Sequence, residues 1–254
     1  MKEIRSISLI GYGLVGRAMA TYFQSKGLEI HQILVRKKPS QNHMESAPFN
    51  FITQLELFEP CDLLLVCVKD DALIDLIPQL PKSQWIAYTS GAVGLDVFEN
   101  APHVSVFYPL QSFAFLRREA MAQIPILIET LSAEQLEVLK NFALAYFDTC
   151  QEMDSASRAK LHLAAVFANN FTNHMMTLAA DYCQVNQIDF ALLKPLVLET
   201  AHKWMQKDAN ELQTGPAIRG DETVLQKQMG SLDGFMLEIY QTMTKAIQEY
   251  YKNK

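Results

Sequence analysis

Short apolar runs alternate with longer amphipathic stretches over the first half of the chain, whereas the second half carries the longer kind throughout. Strand-length runs separated by helical patterns are the sequence form of βαβ units around a parallel sheet. Residues 6–10 are the first predicted strand. Val15, Ala18, Met19, Tyr22 and Phe23 recur at helical spacing and predict a helix over 14–26 that stops at Gly27. Residues 30–35 form the second strand, and a loop rich in Pro, Ser, Gln and Asn runs over 37–48. Phe49-Asn50-Phe51 is apolar but too short to assign. Residues 62–68 are nearly all apolar, as a strand covered on both faces must be. A helix over 70–77 and strands over 84–89 and 103–107 follow. Two late strands, 125–129 and 147–151, flank a helix over 133–146 with Ser132 as its N-cap.

After Ser155 the strand pattern disappears. The composition shift there predicts two domains, 1–153 and 154–254, with no low-complexity linker between them and no internal repeat. The fold class is therefore α/β, a doubly wound parallel sheet followed by an all-helical C-terminal domain. With 254 residues, 49% of them hydrophobic, the chain is long enough to bury one or two cores. A net charge of -6 excludes a general nucleic-acid surface and favours a small-molecule partner. No apolar stretch reaches membrane-spanning length, so no membrane association and a cytoplasmic location are expected. Cys61, Cys67, Cys150 and Cys183 form no CxxC pair and no Cys/His cluster, so no metal site is expected and the thiols are read as reduced.

Between the first strand and its helix lies Gly11-Tyr12-Gly13-Leu14-Val15-Gly16. A lone GxGxxG is weak, but strand, loop and helix in this order are the context that a Rossmann dinucleotide site demands. Gly11 permits the turn, Gly13 lets the backbone approach a pyrophosphate, and Gly16 allows close helix packing. The free N–H groups around Leu14 and Val15 would meet the phosphates. About twenty residues on, an NAD site carries an acidic residue; this chain has Val35-Arg36-Lys37-Lys38 instead. Arg36, helped by Lys37, suits a 2′-phosphate, which favours NADP(H) over NAD(H). A solvated basic loop is the competing reading of that triplet. Val68, after the 62–68 strand, and Ser90 in Thr89-Ser90-Gly91-Ala92 stand where loops reach the nicotinamide half. Ser90 suits a simple turn former equally well.

The glycine loop, Arg36, Val66-Cys67-Val68-Lys69-Asp70-Asp71 and Thr89-Ser90-Gly91-Ala92 together resemble the nucleotide domain of the pyrroline-5-carboxylate reductase, ketopantoate reductase and β-hydroxyacid dehydrogenase group. Residues 160–171, Lys-Leu-His-Leu-Ala-Ala-Val-Phe-Ala-Asn-Asn-Phe, and 214–221, Thr-Gly-Pro-Ala-Ile-Arg-Gly-Asp, resemble proteins that join a Rossmann-like domain to the domain of unknown function numbered 2520. The resemblance implies an NADP-dependent oxidoreductase with a helical C-terminal domain, homodimerisation through it and an active site between the domains. It implies no substrate. Its lysine-asparagine spacing is not reproduced at Lys160.

A reductase of a small carbonyl, imine or hydroxy acid needs a proton donor. On one continuous helix from Ser155, the residues Ser155, His162, Asn169 and Asn173 fall within about 40° of each other, a polar stripe on an otherwise apolar and therefore buried helix. His162 is the candidate proton donor, and Asn169 and Asn173 would orient substrate or nicotinamide amide. Satisfied core polar groups would give the same pattern. Arg219 is placed to clamp a substrate carboxylate, with Asp221 holding it or capping the next helix; a structural turn with a surface ion pair is the other reading. A dinucleotide-binding regulator or scaffold without turnover is the rival to an oxidoreductase.

Overall fold

The computed structural model describes residues 3–39, 49–208 and 211–252; most of the predicted 37–48 loop lies outside them. The chain divides into two compact units, Met1–Asn169 and Asn170–Lys254.

The first unit is built on one sheet of β1 (Ser6–Ile10), β2 (Glu29–Leu34), β3 (Phe51–Ile52), β4 (Leu63–Val66), β5 (Ile86–Tyr88), β6 (Val104–Pro109), β7 (Ile126–Thr130) and β8 (Cys150–Glu152), in the order β3-β2-β1-β4-β5-β6-β7-β8. Its helices are α1 (Leu14–Ser25), α2 (Asp70–Leu76), α3 (Ala133–Tyr146) and α4 (Ser155–Ala165). The doubly wound α/β class is as expected, and the unassigned Phe51 becomes part of an edge strand. One feature differs from the all-parallel expectation: β7 pairs antiparallel with β6. Parallel neighbours need a crossover element, and residues 110–125 between β6 and β7 supply only the short 3-10 turn Arg118–Ala120.

Alternation along each strand divides the core between the two faces. Ile7 and Leu9 of β1, Leu63 and Leu65 of β4 and Phe107 of β6 pack with Met19 and Phe23 of α1 and Phe142 of α3. Ile10, Leu64, Val66, Tyr88, Val106 and Tyr108 point the other way, against Leu73 of α2, Leu95 and Phe98. All four residues of β4 are buried, as a strand covered on both faces must be, which is why it reads as a continuous apolar run. Ser132 caps α3 as expected, its hydroxyl accepting from the Gln135 N–H.

The second unit is helical: α5 (Thr172–Val185), α6 (Lys194–Trp204), α7 (Pro216–Arg219), α8 (Glu222–Met229) and α9 (Gly234–Tyr251). Among its described residues, Cys183, Ala217 and Leu225 alone are buried. Leu192, Leu196, Leu198, Trp204, Met205 and Phe235 lie exposed. No helix among the described residues is long and apolar enough to cross a membrane.

Candidate active site

At the C-terminal end of β1 the three loop glycines have different physical reasons. Gly11 takes φ +94°, and a Cβ there would stand 2.4 Å from the Cys67 carbonyl oxygen and 3.2 Å from Val68 Cγ1. A Cβ on Gly16 would stand 2.1 Å from the Gly11 oxygen. Gly11 and Gly16 are thus demanded by the chain's own packing. Gly13 is not: its φ is -72°, and a Cβ would meet nothing within 4 Å. The space it leaves faces outward at the N-terminus of α1, where no side chain caps the helix and no acidic residue occupies the first turn. A pyrophosphate fits that opening, with the N–H groups of Leu14 and Val15 beside it.

The Gly11 N–H donates to the Leu34 oxygen at 2.9 Å, which ties the loop to the end of β2. Arg36, Lys37 and Lys38 come directly after it and are all exposed. A cationic cluster with no acidic residue at the end of β2 matches a 2′-phosphate. Beneath the loop, burial pushes the Cys67 thiol up to about 12, so it stays protonated and unreactive.

The strand order reverses between β1 and β4, and ligands of such sheets bind at that switch point, outside the carboxyl ends of the strands. The ends of β4, β5 and β6 lie on the side of the loop opposite Arg36. There Tyr108 Oη stands 2.9 Å from His162 Nδ1. Tyr108 is buried and His162 half-buried. Both rings close over Gly91: a Cβ on it would stand 2.7 Å from Tyr108 Cζ and 2.8 Å from His162 Nδ1. Burial first, and the Asp70 carboxylate second, push the Tyr108 phenol above its ordinary value, with Arg158 opposing.

A buried polar network holds this pair. Arg158, on α4 one turn before His162, is fully buried and pairs with Glu129 of β7. Its Nη2 donates to the Val93 oxygen at 2.8 Å and to Ser155 Oγ at 3.3 Å. Ser155 Oγ donates to Glu129 Oε2 at 2.7 Å and accepts from the Leu95 N–H at 2.8 Å. Ser90 Oγ accepts from the N–H groups of Ala92 and Val93, at 3.1 and 2.9 Å, so its hydroxyl shapes the loop that carries Gly91. Val68 is half-buried against Gly11.

The polar stripe requires correction. The helix is α only to Ala165; Val166–Phe171 is a π turn, and α5 begins at Thr172. The wider i to i+5 turn rotates the residues beyond it, so seven-residue spacing aligns Ser155 with His162 but not with Asn169 and Asn173. Nor is the stripe buried as a whole, since Asn169 and Asn173 are exposed. Lys160 is exposed. In the second unit Arg219 is exposed at the end of α7, and Asp221 caps α8 by accepting from the Val224 N–H at 3.2 Å. Sequence reading passed over Tyr108 and Arg158. Tyr108 carries only the signal of a phenol at the end of an apolar strand, and Arg158 stands among Ser, Ala and Lys with no local signal at all. Among the described residues no group of three His, Cys, Asp or Glu side chains is placed to hold a metal ion.

Comparison with known proteins fits this architecture. Residues 2–106 match the NADPH-binding domain of acetohydroxy acid isomeroreductase, and residues 124–247 match the domain of unknown function DUF2520. No curated protein matches the chain. A candidate NADP oxidoreductase from Bacteroides fragilis is 33% identical over 97% of this chain and 98% of that one, with a TM-score of 0.88. The fold alone is shared with 1-pyrroline-5-carboxylate reductase from Streptococcus pyogenes, at 13% identity, 98% of both chains and TM-score 0.65. It is shared too with an imine reductase from Myxococcus stipitatus in complex with NADP+, at 12% identity, 98% and 93% coverage and TM-score 0.65. Fold and site define an NADPH-binding Rossmann protein with a helical C-terminal domain. The chain belongs to the DUF2520 family of such proteins.

Arg36→Ala is expected to weaken NADPH binding about 10- to 100-fold, the worth of a charge-assisted phosphate contact, and to leave NADH unchanged in calorimetric titration. Equal losses for both cofactors would remove Arg36 from the phosphate site. Arg158→Ala, which strands Glu129, is expected to cost about 3–5 kcal/mol in urea unfolding; a loss below about 1 kcal/mol would show that the network is dispensable.

Proposed function

We propose that this protein is an NADP(H)-dependent oxidoreductase that reduces a small carbonyl or imine, or oxidises the matching hydroxy acid or amine, with His162 as the proton donor. The observation that carries it is the half-buried His162–Tyr108 pair at the sheet edge on the side of the glycine loop away from Arg36. NADPH, when bound, supplies the hydride. Gly13, Leu14 and Val15 hold its pyrophosphate, Arg36 and Lys37 its 2′-phosphate, and Val68 and the Ser90 loop border the other half. His162 in its charged form gives the Nε2 proton to the substrate oxygen or nitrogen and is left neutral. The domains of this reading are 1–153 for the cofactor and 154–254 for substrate and assembly.

The same chain is proposed to work as a homodimer through its second unit. Exposed apolar residues such as Leu192, Leu196, Leu198 and Trp204 support this reading, since an apolar face left in water marks an interaction surface. An open groove of about 530 Å³, bordered by Met175, Tyr182, Met236, Tyr240 and Met243, adds to that face. Four unpaired cysteines favour a reducing compartment, the cytoplasm.

NADPH consumption across a panel of cyclic imines, small ketones and keto acids tests the activity. With the best substrate, His162→Gln is expected to lower kcat by about a hundredfold or more while NADPH affinity stays unchanged. Tight NADPH binding with no turnover of any panel member would favour a sensor instead. Light scattering in solution is expected to give twice the chain mass of 28.8 kDa, and Leu198→Asp to shift it toward the monomer; a monomeric wild type would sink the dimer.

A further inference from the structure

His162 has two ring nitrogens, and proton traffic at one of them requires the other to be held. The sheet places Tyr108 at Nδ1, 2.9 Å away, from a buried position near the end of β6. This contact is not incidental packing. Gly91 leaves no room for a Cβ between the rings, the loop around it is fixed by Ser90 Oγ, and α4 is anchored on the same side by Ser155 and Arg158. Ser155, Arg158 and His162 stand at i, i+3 and i+7, one face of one helix, so the two anchors, Arg158 buried and Ser155 half-buried, set the rotation at which His162 meets the sheet.

We propose that Tyr108 is a positioning residue that occupies His162 Nδ1 and thereby leaves Nε2 as the one ring nitrogen available to a substrate. The proposal rests on the assignment of His162 as proton donor. A phenol oxygen both donates and accepts. Tyr108 accepts from Nδ1–H of the charged ring and still accepts from it once Nε2 has given up its proton, so Nε2 is the exchanging nitrogen and the neutral ring keeps its proton on Nδ1. Tyr108 is not itself the proton source: it is the more buried partner, and burial with the nearby Asp70 carboxylate holds its proton on. His162, half-exposed, is the partner that a substrate meets.

Nitrogen NMR of protein labelled in histidine reads this directly and needs no substrate. At a pH where the ring is neutral, wild-type His162 is expected as a single tautomer protonated at Nδ1, with Nε2 bare. Tyr108→Phe should convert it to a mixture of both tautomers. Replacing Tyr108 by 3-fluorotyrosine, which keeps shape and hydroxyl but accepts more weakly, should shift the ring part of the way toward the Nε2–H tautomer, and it carries the test should Tyr108→Phe fail to fold. Unchanged His162 signals in these variants, or a wild-type ring protonated at Nε2, would overturn the proposal. NADPH titration of the same samples keeps the two readings apart: full affinity with an unchanged tautomer refutes the role of Tyr108 and leaves the cofactor site intact.

Discussion

A guanidinium taken out of water keeps its charge only where a carboxylate and further acceptors meet it. Arg158 meets that condition with Glu129 on β7, the Val93 carbonyl in the loop after β5 and Ser155 on its own helix. Three separate parts of the first unit are thereby joined through one side chain. Such a pair is seldom a net gain over apolar packing, because desolvation of both charges offsets their attraction. What it provides is direction: hydrogen bonds fix angles where dispersion contacts tolerate sliding. The Arg158 Nε has no partner, a further cost of placing the charge there. The position of His162, one turn further along the helix, depends on this arrangement.

The other half of the site depends on absences of side chain. Gly11 and Gly16 let the loop fold against Cys67 and against itself, Gly91 lets two rings close, and Gly13 leaves space that no described residue fills. Strands spaced about 4.8 Å apart put β6 roughly 14 Å from β1 across β4 and β5. The glycine loop and the Tyr108–His162 pair therefore stand at opposite ends of one sheet edge, each held by a different device. Helix N–H groups and basic side chains stand at one place; a phenol and an imidazole stand at the other.

The second unit obeys another rule. Its helices carry many large apolar residues that lie exposed, whereas nearly all of the fully buried apolar residues belong to the first unit. Charge patterning does not account for this, since Leu196, Leu198 and Trp204 lie on one helix beside Lys203 and Glu199. A unit built this way has its stability tied to whatever covers it.

Local pattern alone determined the strands of the first unit apart from β3, the positions of α1 and α3 and the Ser132 cap, because periodicity and capping are properties of neighbouring residues. It determined also that basic residues, Arg36 to Lys38, follow β2. The antiparallel turn of β7 escaped it, since the reversal depends on the missing crossover helix and not on any motif. The π turn at Val166–Phe171 escaped it too, and with it the phase of Asn169 and Asn173. Tertiary structure alone decided that Tyr108, 54 residues before His162, is its partner, and that Arg158 and Glu129, 29 residues apart, meet in the interior. Contacts between distant residues leave no periodic trace in the chain; they arise only once the sheet sets its strand order and brings those positions to one edge.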